Sequence, residues 1–205
     1  MMPSTRLHSP RRQILAVIIG NAIEWYDFVI FGILAGMISK TFFPPDASYS
    51  ALLLTLATFG VGFGMRPIGG IFLGIYADKK GRRAALNMIL RLMTLTTAVI
   101  ALLPGYASIG TFAPVTLVLA RLVQGFATGG EFATATTFLL EMAPPNRKGF
   151  YAAWQMVGQC LAVFFGVSIG YLLTHHMQAP DLANWGWRIP FILGLTILPI
   201  SITPN

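Results

Sequence analysis

The stretch Gly74-Ile75-Tyr76-Ala77-Asp78-Lys79-Lys80-Gly81-Arg82-Arg83 decides the fold. Its last six residues hold four cations, one carboxylate and a glycine, yet the sequence turns apolar on either side, over 51–76 and 85–104. A helix that crosses a bilayer needs about 20 mostly apolar residues, and each flanking run has that length. The charged segment therefore reads as a tight connection at a membrane surface, with one span entering it and another leaving.

The same pattern continues outward in both directions. Further apolar runs lie at 13–38, 113–140, 151–174 and 187–203, so the fold class predicted is an all-α membrane bundle of six spans, with residues 1–12 as an N-terminal tail and 13–203 as the bundle. The separators are turn and charge chemistry: Phe43-Pro44-Pro45-Asp46, Pro104-Gly105, Pro144-Pro145-Asn146-Arg147-Lys148 and the polar stretch from His175 to Asn184. A β-barrel would show short alternating segments instead. Composition agrees. Of 205 residues 55% are apolar and only 10% charged, against about 25% charged in an ordinary soluble domain, and the mean hydropathy is +0.69. A soluble enzyme, a nucleic-acid reader and a disordered tail are all excluded. The basic N-terminus imitates a secretory signal, but the apolar stretch runs on past Glu24 without a clear cleavage site, so it reads as a retained span. The single cysteine, Cys160, excludes an internal disulfide and is expected to be a small packed residue.

Lysine and arginine set the orientation. Arg6, Arg11, Arg12, Lys79, Lys80, Arg82, Arg83, Arg147 and Lys148 fall on one side of the six spans, and only Lys40 and Arg188 on the other. That distribution predicts a cytoplasmic N-terminus in a multi-pass inner-membrane protein. It also assigns the net charge of +7 to topology and not to nucleic acid. Small residues at four-residue spacing, Gly60/Gly64, Gly70/Gly74, Gly125/Gly129 and Gly166/Gly170, are expected to let helices pack closely.

Charges inside the spans carry the chemistry, because an ionisable group in a membrane helix normally faces a cavity or a partner. Glu24 and Asp27 stand at i and i+3 in the first span, and Arg121, Gln124, Thr128 and Glu131 recur on one face of the fourth. A buried arginine stays charged and can hold a carboxylate with two parallel bonds. A carboxylate removed from water can carry a proton. Together the two stripes suit the movement of an anion with a proton. Arg66 and Arg91, in the second and third spans, are read as charge-pairing partners that fix helix register.

Gly74-x-x-x-Asp78-x-x-Gly81-Arg82-Arg83 resembles the G-x-x-x-D-x-x-G-R-[KR] loop of the major facilitator superfamily, and Arg121-x-x-Gln124-Gly125 resembles its R-x-x-Q-G motif. Gly20-Asn21-x-x-Glu24-Trp25-Tyr26-Asp27-Phe28, Arg66-Pro67-x-Gly69-Gly70, Gly129-Gly130-Glu131 and Trp187-Arg188-x-Pro190-Phe191 are similar to the metabolite:proton symporters, which include carriers for citrate, 2-oxoglutarate, shikimate and proline/betaine. Leu103-Pro104-Gly105-Tyr106-Ala107-Ser108-Ile109-Gly110 and Lys148-Gly149-Phe150-Tyr151-x-x-Trp154-Gln155 sit nearest to the citrate-proton symporters.

The resemblance implies that Gly74, Asp78, Gly81, Arg82 and Arg83 form a cytoplasmic latch governing alternating access. Arg121 would couple occupancy to conformational change, and Glu24, Asp27 or Glu131 would take the proton. It also implies twelve helices in two halves with substrate held between them. Here only the N-terminal half is present, and the ending Ile200-Ser201-Ile202-Thr203-Pro204-Asn205 departs from the family's pattern of an apolar exit followed by paired arginines. A truncated product is expected, inactive alone or pairing with itself in place of the missing C-terminal half.

The expected function is proton symport of a small organic acid, citrate or another tri- or dicarboxylate, with the lipid bilayer as its medium. The proton gradient would be the energy source, with no cofactor, no metal and no nucleic-acid partner. The alternatives are a symporter of a zwitterionic osmolyte such as proline or betaine, and a non-transporting fragment or modulatory partner of a full-length carrier. No H-E-x-x-H, Walker A or G-x-S-x-G motif occurs, so an enzyme is not expected.

Overall fold

The computed structural model describes residues 10–44 and 48–201, with side chains described over 14–44, 50–178 and 180–196. The elements are α1 (Pro10–Ile33), α2 (Ala35–Phe42), α3 (Ser48–Lys80), α4 (Arg82–Leu102), α5 (Tyr106–Ile109), α6 (Phe112–Met142), α7 (Lys148–His176), α8 (Ala179–Asn184), a 3-10 turn at Gly186–Arg188, and α9 (Ile189–Ser201). Among the described residues every regular element is helical. Five helices are long and apolar enough to cross a membrane: α1 over Ile14–Ile33, α3 over Ser50–Lys80, and the full lengths of α4, α6 and α7. The sixth apolar run is helical as α9, 13 residues long as described, or about 20 Å at 1.5 Å per residue. Arg6, Pro45 and Asp46, and residues 202–205 of the expected exit, lie outside the described residues.

Several boundaries differ from those predicted. The tail expected to reach residue 12 is already helical from Pro10. The expected span 13–38 is broken at Leu34, whose φ of −89° and ψ of 7° turn the chain into α2. The second span does not stop at residue 76, since α3 continues to Lys80. Asp78, Lys79 and Lys80 are thus the last turn of a helix, where cations complement the negative end of the helix dipole. The connection shrinks to Gly81, whose φ of 93° and ψ of 149° lie in a region essentially reserved for glycine.

Two close helix pairs organise the bundle. Helices α3 and α6 run in the same direction and touch backbone to backbone. A Cβ built on Gly125 would strike the Gly62 carbonyl, one on Gly129 the Arg66 carbonyl, and one on Gly69 the Phe126 carbonyl. Helices α1 and α7 form the second pair, with Gly158, Gly166 and Gly170 seated against Ile18, Val29 and Ile33. The expected packing of Gly125/Gly129 and Gly166/Gly170 is therefore present. Of the Gly70/Gly74 pair, Gly70 packs against the Gly129 carbonyl, whereas Gly60, Gly64 and Gly74 face open space and their role falls to Gly62 and Gly69.

The largest buried cluster gathers Ile30, Phe31, Leu34 and Ile38 of α1–α2 with Ile100, Leu117, Trp187 and Phe191. Apolar side chains such as Leu53, Phe72, Leu119, Phe164 and Tyr171 point outward, as a lipid-facing surface requires. Cys160 lies on that exposed surface and is not packed inside, contrary to expectation.

Candidate functional site: a buried polar seam between α1, α3, α6 and α7

Asn21, Glu24 and Asp27 recur every three residues along α1. At 3.6 residues per turn each step rotates the position by about 60°, so the stripe winds round the helix and each member meets a different neighbour. Helix α1 runs antiparallel to α6, which sets Asp27 beside Arg121 and Asn21 beside Glu131.

Asp27 and Arg121 form the tightest contact of the seam. Arg121 Nη1 donates to Asp27 Oδ2 at 2.7 Å and to Gln124 Oε1 at 2.7 Å, and Gln124 Nε2 donates to Thr97 Oγ1 at 3.1 Å. The guanidinium carbon lies 3.7 Å from the Phe31 ring centre, within the range of a cation–π contact. Arg121 is 2% exposed. Its Nε and Nη2, and the Asp27 Oδ1, are buried without a protein partner. A guanidinium carries five donors in a fixed fork, so this one keeps part of its fork open.

Glu24 pairs with Arg66 of α3, Nη2 to Oε1 at 3.5 Å. Phe28 and Phe63 lie 4.5 and 4.2 Å from the Arg66 guanidinium carbon. The pairing predicted for Arg66 thus has a definite partner. Arg91 differs: it is exposed on α4, and no carboxylate among the described residues lies within ion-pair distance of it.

Glu131, 3% exposed, accepts from Asn21 Nδ2 at 3.4 Å, and Asn21 Oδ1 accepts from Gln159 Nε2 of α7 at 2.9 Å. Thr128 is buried beside the Met93 sulfur. Further along α7, Gln155 Oε1 accepts from Thr136 Oγ1 at 2.7 Å, and its Nε2 has no partner. Asn21, Thr97, Gln155 and Gln159 were not singled out as site residues from sequence. Three of them are amides within apolar runs, with Gln155 and Gln159 at i and i+4, and that was the available signal.

The residues expected to form a latch lie at one end of the bundle. Arg82 Nη2 bonds Asp78 Oδ1 at 2.7 Å across Gly81, and Arg82 Nε lies 3.9 Å from Glu141 Oε1 at the end of α6. Gly74 sits one turn before Asp78 inside α3, and Arg83 is exposed. At the other end Arg188 donates from Nε and Nη2 to the carbonyls of Ala101 and Leu103, capping the last turn of α4. Among the described residues no group of His, Cys, Asp and Glu could hold a metal ion.

A family model described as "Sugar (and other) transporter" matches residues 13–202. The chain is 43% identical over 198 residues to the citrate-proton symporter of Salmonella typhi, covering 97% of this chain and 46% of the relative. It is 42% identical over 199 residues to the alpha-ketoglutarate permease of Escherichia coli K12, covering 94% of this chain and 45% of the relative. It is 37% identical over 187 residues to the proline/betaine transporter of Salmonella typhimurium LT2, covering 91% of this chain and 37% of the relative. The chain thus spans less than half the length of these relatives. Among solved structures it resembles the E. coli xylose transporter XylE in a partially occluded inward-open conformation, with a TM-score of 0.78 at 18% identity over 97% of this chain and 50% of that one. That likeness concerns the fold.

Proposed function

The chain belongs to the sugar (and other) transporter family of the major facilitator superfamily, and from that premise we propose that it serves proton-driven symport of a small organic acid, a citrate-like tricarboxylate or a dicarboxylate, by alternating access. The observation that carries this reading is Arg121. It is a buried cation whose Nη1 is held by Asp27 and Gln124 while Nε and Nη2 have no protein partner. A carboxylate presented to those two donors would be bound by charge-assisted bonds in a water-poor site. Gln124, tied to Thr97, holds the fork in place.

An anion entering the site brings negative charge to a seam already holding Glu24, Asp27 and Glu131, and a proton on one of these carboxylates offsets it. That is the physical basis of coupling. Asp78, Arg82 and Glu141 join the ends of α3, α4 and α6, and we assign them, with Gly81, to the latch that opens as the halves of a carrier rock. The similarity to a proline/betaine transporter favours a second reading, in which the substrate is a zwitterion whose carboxylate meets Arg121.

Proteoliposomes with an imposed inward proton gradient test the proposal. Uptake of labelled citrate, and in separate runs of labelled 2-oxoglutarate and labelled betaine, is followed for the 205-residue chain and for the same half joined to the C-terminal half of a twelve-helix carrier. Unlabelled 2-oxoglutarate and betaine serve as competitors and a proton ionophore as control. Ionophore-sensitive uptake blocked by 2-oxoglutarate is the expected result. Competition by betaine alone would move the reading to zwitterions, and absence of uptake of any of the three by both proteins would overturn it.

A further inference from the structure

Three carboxylates are buried among the described residues, and they are not equivalent. Asp27 is neutralised by Arg121 at 2.7 Å and Glu24 by Arg66 at 3.5 Å. Among the described residues Glu131 meets no cation: its hydrogen bond comes from a neutral amide, Asn21 Nδ2. Of the charged and titratable groups with described side chains on the elements around it, Glu24 and Asp27 of α1 pair with Arg66 of α3 and Arg121 of its own helix, Asp78, Arg82 and Glu141 meet at one end of the bundle, and Lys79, Lys80, Arg83, Arg91, Lys148, His175 and His176 are exposed. Helix α7 presents amides there, Gln155 and Gln159. Protonating Asp27 or Glu24 would strand a guanidinium that burial already penalises, whereas protonating Glu131 strands nothing.

We propose, resting on the reading of proton-coupled transport, that Glu131 carries the coupling proton and that Asn21 and Gln159 form a reversible hydrogen-bond chain that reports its protonation to α7. With Glu131 ionised the donors run toward it, Gln159 Nε2 to Asn21 Oδ1 and Asn21 Nδ2 to Glu131 Oε2. When a proton arrives, one O–H bond forms at the carboxylate and it becomes a donor. Rotating the Asn21 amide by half a turn presents Oδ1 to Glu131 and Nδ2 to Gln159, whose amide rotates in turn to accept through Oε1. Both directions satisfy both contacts, so the chain has two complete states and nothing intermediate. Asn21 and Gln159 are positioning residues. They join α1, α6 and α7, so the state of Glu131 is felt at the α1–α7 pair.

Infrared difference spectra between two pH values that both lie well above about 4, where exposed carboxylates stay ionised, taken on the full 205-residue chain in lipid bilayers, test this with or without transport. The wild type is expected to show a carboxylic C=O band together with side-chain amide changes. Asp27→Asn and Glu24→Gln should keep both signals, and Glu131→Gln should lose both. Gln159→Leu should keep the carboxylic band and lose most of the amide change, which a merely structural amide would not do. If Glu131→Gln does not fold, isotope-labelled aspartate decides: the label should leave the wild-type band in place and move the band of Glu131→Asp to the label frequency, whereas a wild-type band that moves would assign the proton to Asp27.

A carboxylic band that survives Glu131→Gln and disappears in Asp27→Asn, or amide bands that ignore pH in the wild type, overturns the proposal. Absence of uptake of citrate, 2-oxoglutarate and betaine by both proteins, with these bands present, would sink the transport reading alone. Uphill, ionophore-sensitive uptake retained by Glu131→Gln would sink the proton assignment alone.

Discussion

At the scale of single residues, the bundle contains two kinds of ion pair, and burial separates them. Arg121 and Asp27 are both almost completely enclosed, whereas Asp78 and Arg82 meet near the surface. Removing one member of an enclosed pair leaves an uncompensated charge, which destabilises by about 3–5 kcal/mol; an exposed pair is worth about 0–1 kcal/mol. Arg121→Met should therefore lower stability strongly, Asp27→Asn added to it should restore much of the loss, and Asp78→Asn should leave stability nearly unchanged. Reversible unfolding in mixed micelles measures all three, and equal losses for Arg121→Met and Asp78→Asn would refute the distinction. The charged residues were legible beforehand because an ionisable group stands out against an apolar run. Their partners were not. A single sequence does not say which helices touch, so Glu24 to Arg66 and Asp27 to Arg121 emerge only when α1, α3 and α6 are placed. Asn21 and Gln159 stood out less because a neutral amide in a membrane helix carries a weaker signal than a charge.

At the scale of elements, small residues decide where helices meet, and the sequence pattern named some of them correctly. The four-residue spacing of Gly60/Gly64 is as regular as that of Gly125/Gly129, but periodicity alone does not tell a helix face turned to a neighbour from one turned to lipid. In the fold Gly125 and Gly129 lie against the backbone of α3, while Gly60 and Gly64 lie in open space. Gly125→Ala and Gly129→Ala should each destabilise by at least about 1–3 kcal/mol, the usual effect of overpacking a filled site. Gly60→Ala and Gly64→Ala should stay within about 0.5 kcal/mol of wild type. A thermal melt monitored by tryptophan fluorescence compares the four, and a uniform response would mean that the α3–α6 crossing is looser than described. Gly81 isolates a different cause. No atom lies within 4 Å of a Cβ built there, yet its φ is 93°. Gly81→Ala should therefore cost about 1–3 kcal/mol through backbone strain alone, with no repacking of neighbours. Helix ends were read less well than helix identities, because Asp78, Lys79 and Lys80 look like a loop by charge and yet complete α3, where the helix dipole favours the two lysines.

At the scale of the whole molecule, the fold sorts the connections into two ends. The Arg82 to Glu141 contact places the α3–α4 and α6–α7 connections together. The Arg188 bonds to Ala101 and Leu103 place the end of α4 beside the turn that precedes α9. The first end holds Lys79, Lys80, Arg82, Arg83, Arg147 and Lys148, and the second holds Lys40 and Arg188. Short loops rich in lysine and arginine stay on the cytoplasmic side, so the first end should face the cytoplasm and the latch with it. In a Cys160→Ser background, a cysteine at Gln178 should react with a membrane-impermeant maleimide in intact cells, and one at Asn146 only after lysis. Cys160 must be removed because it lies exposed on α7. The reverse pattern would place the Asp78–Arg82–Glu141 cluster outside. A latch there would govern entry from the external side, and the proton assigned to Glu131, which lies between Arg121 and that end along α6, would have to arrive from outside by way of the latch.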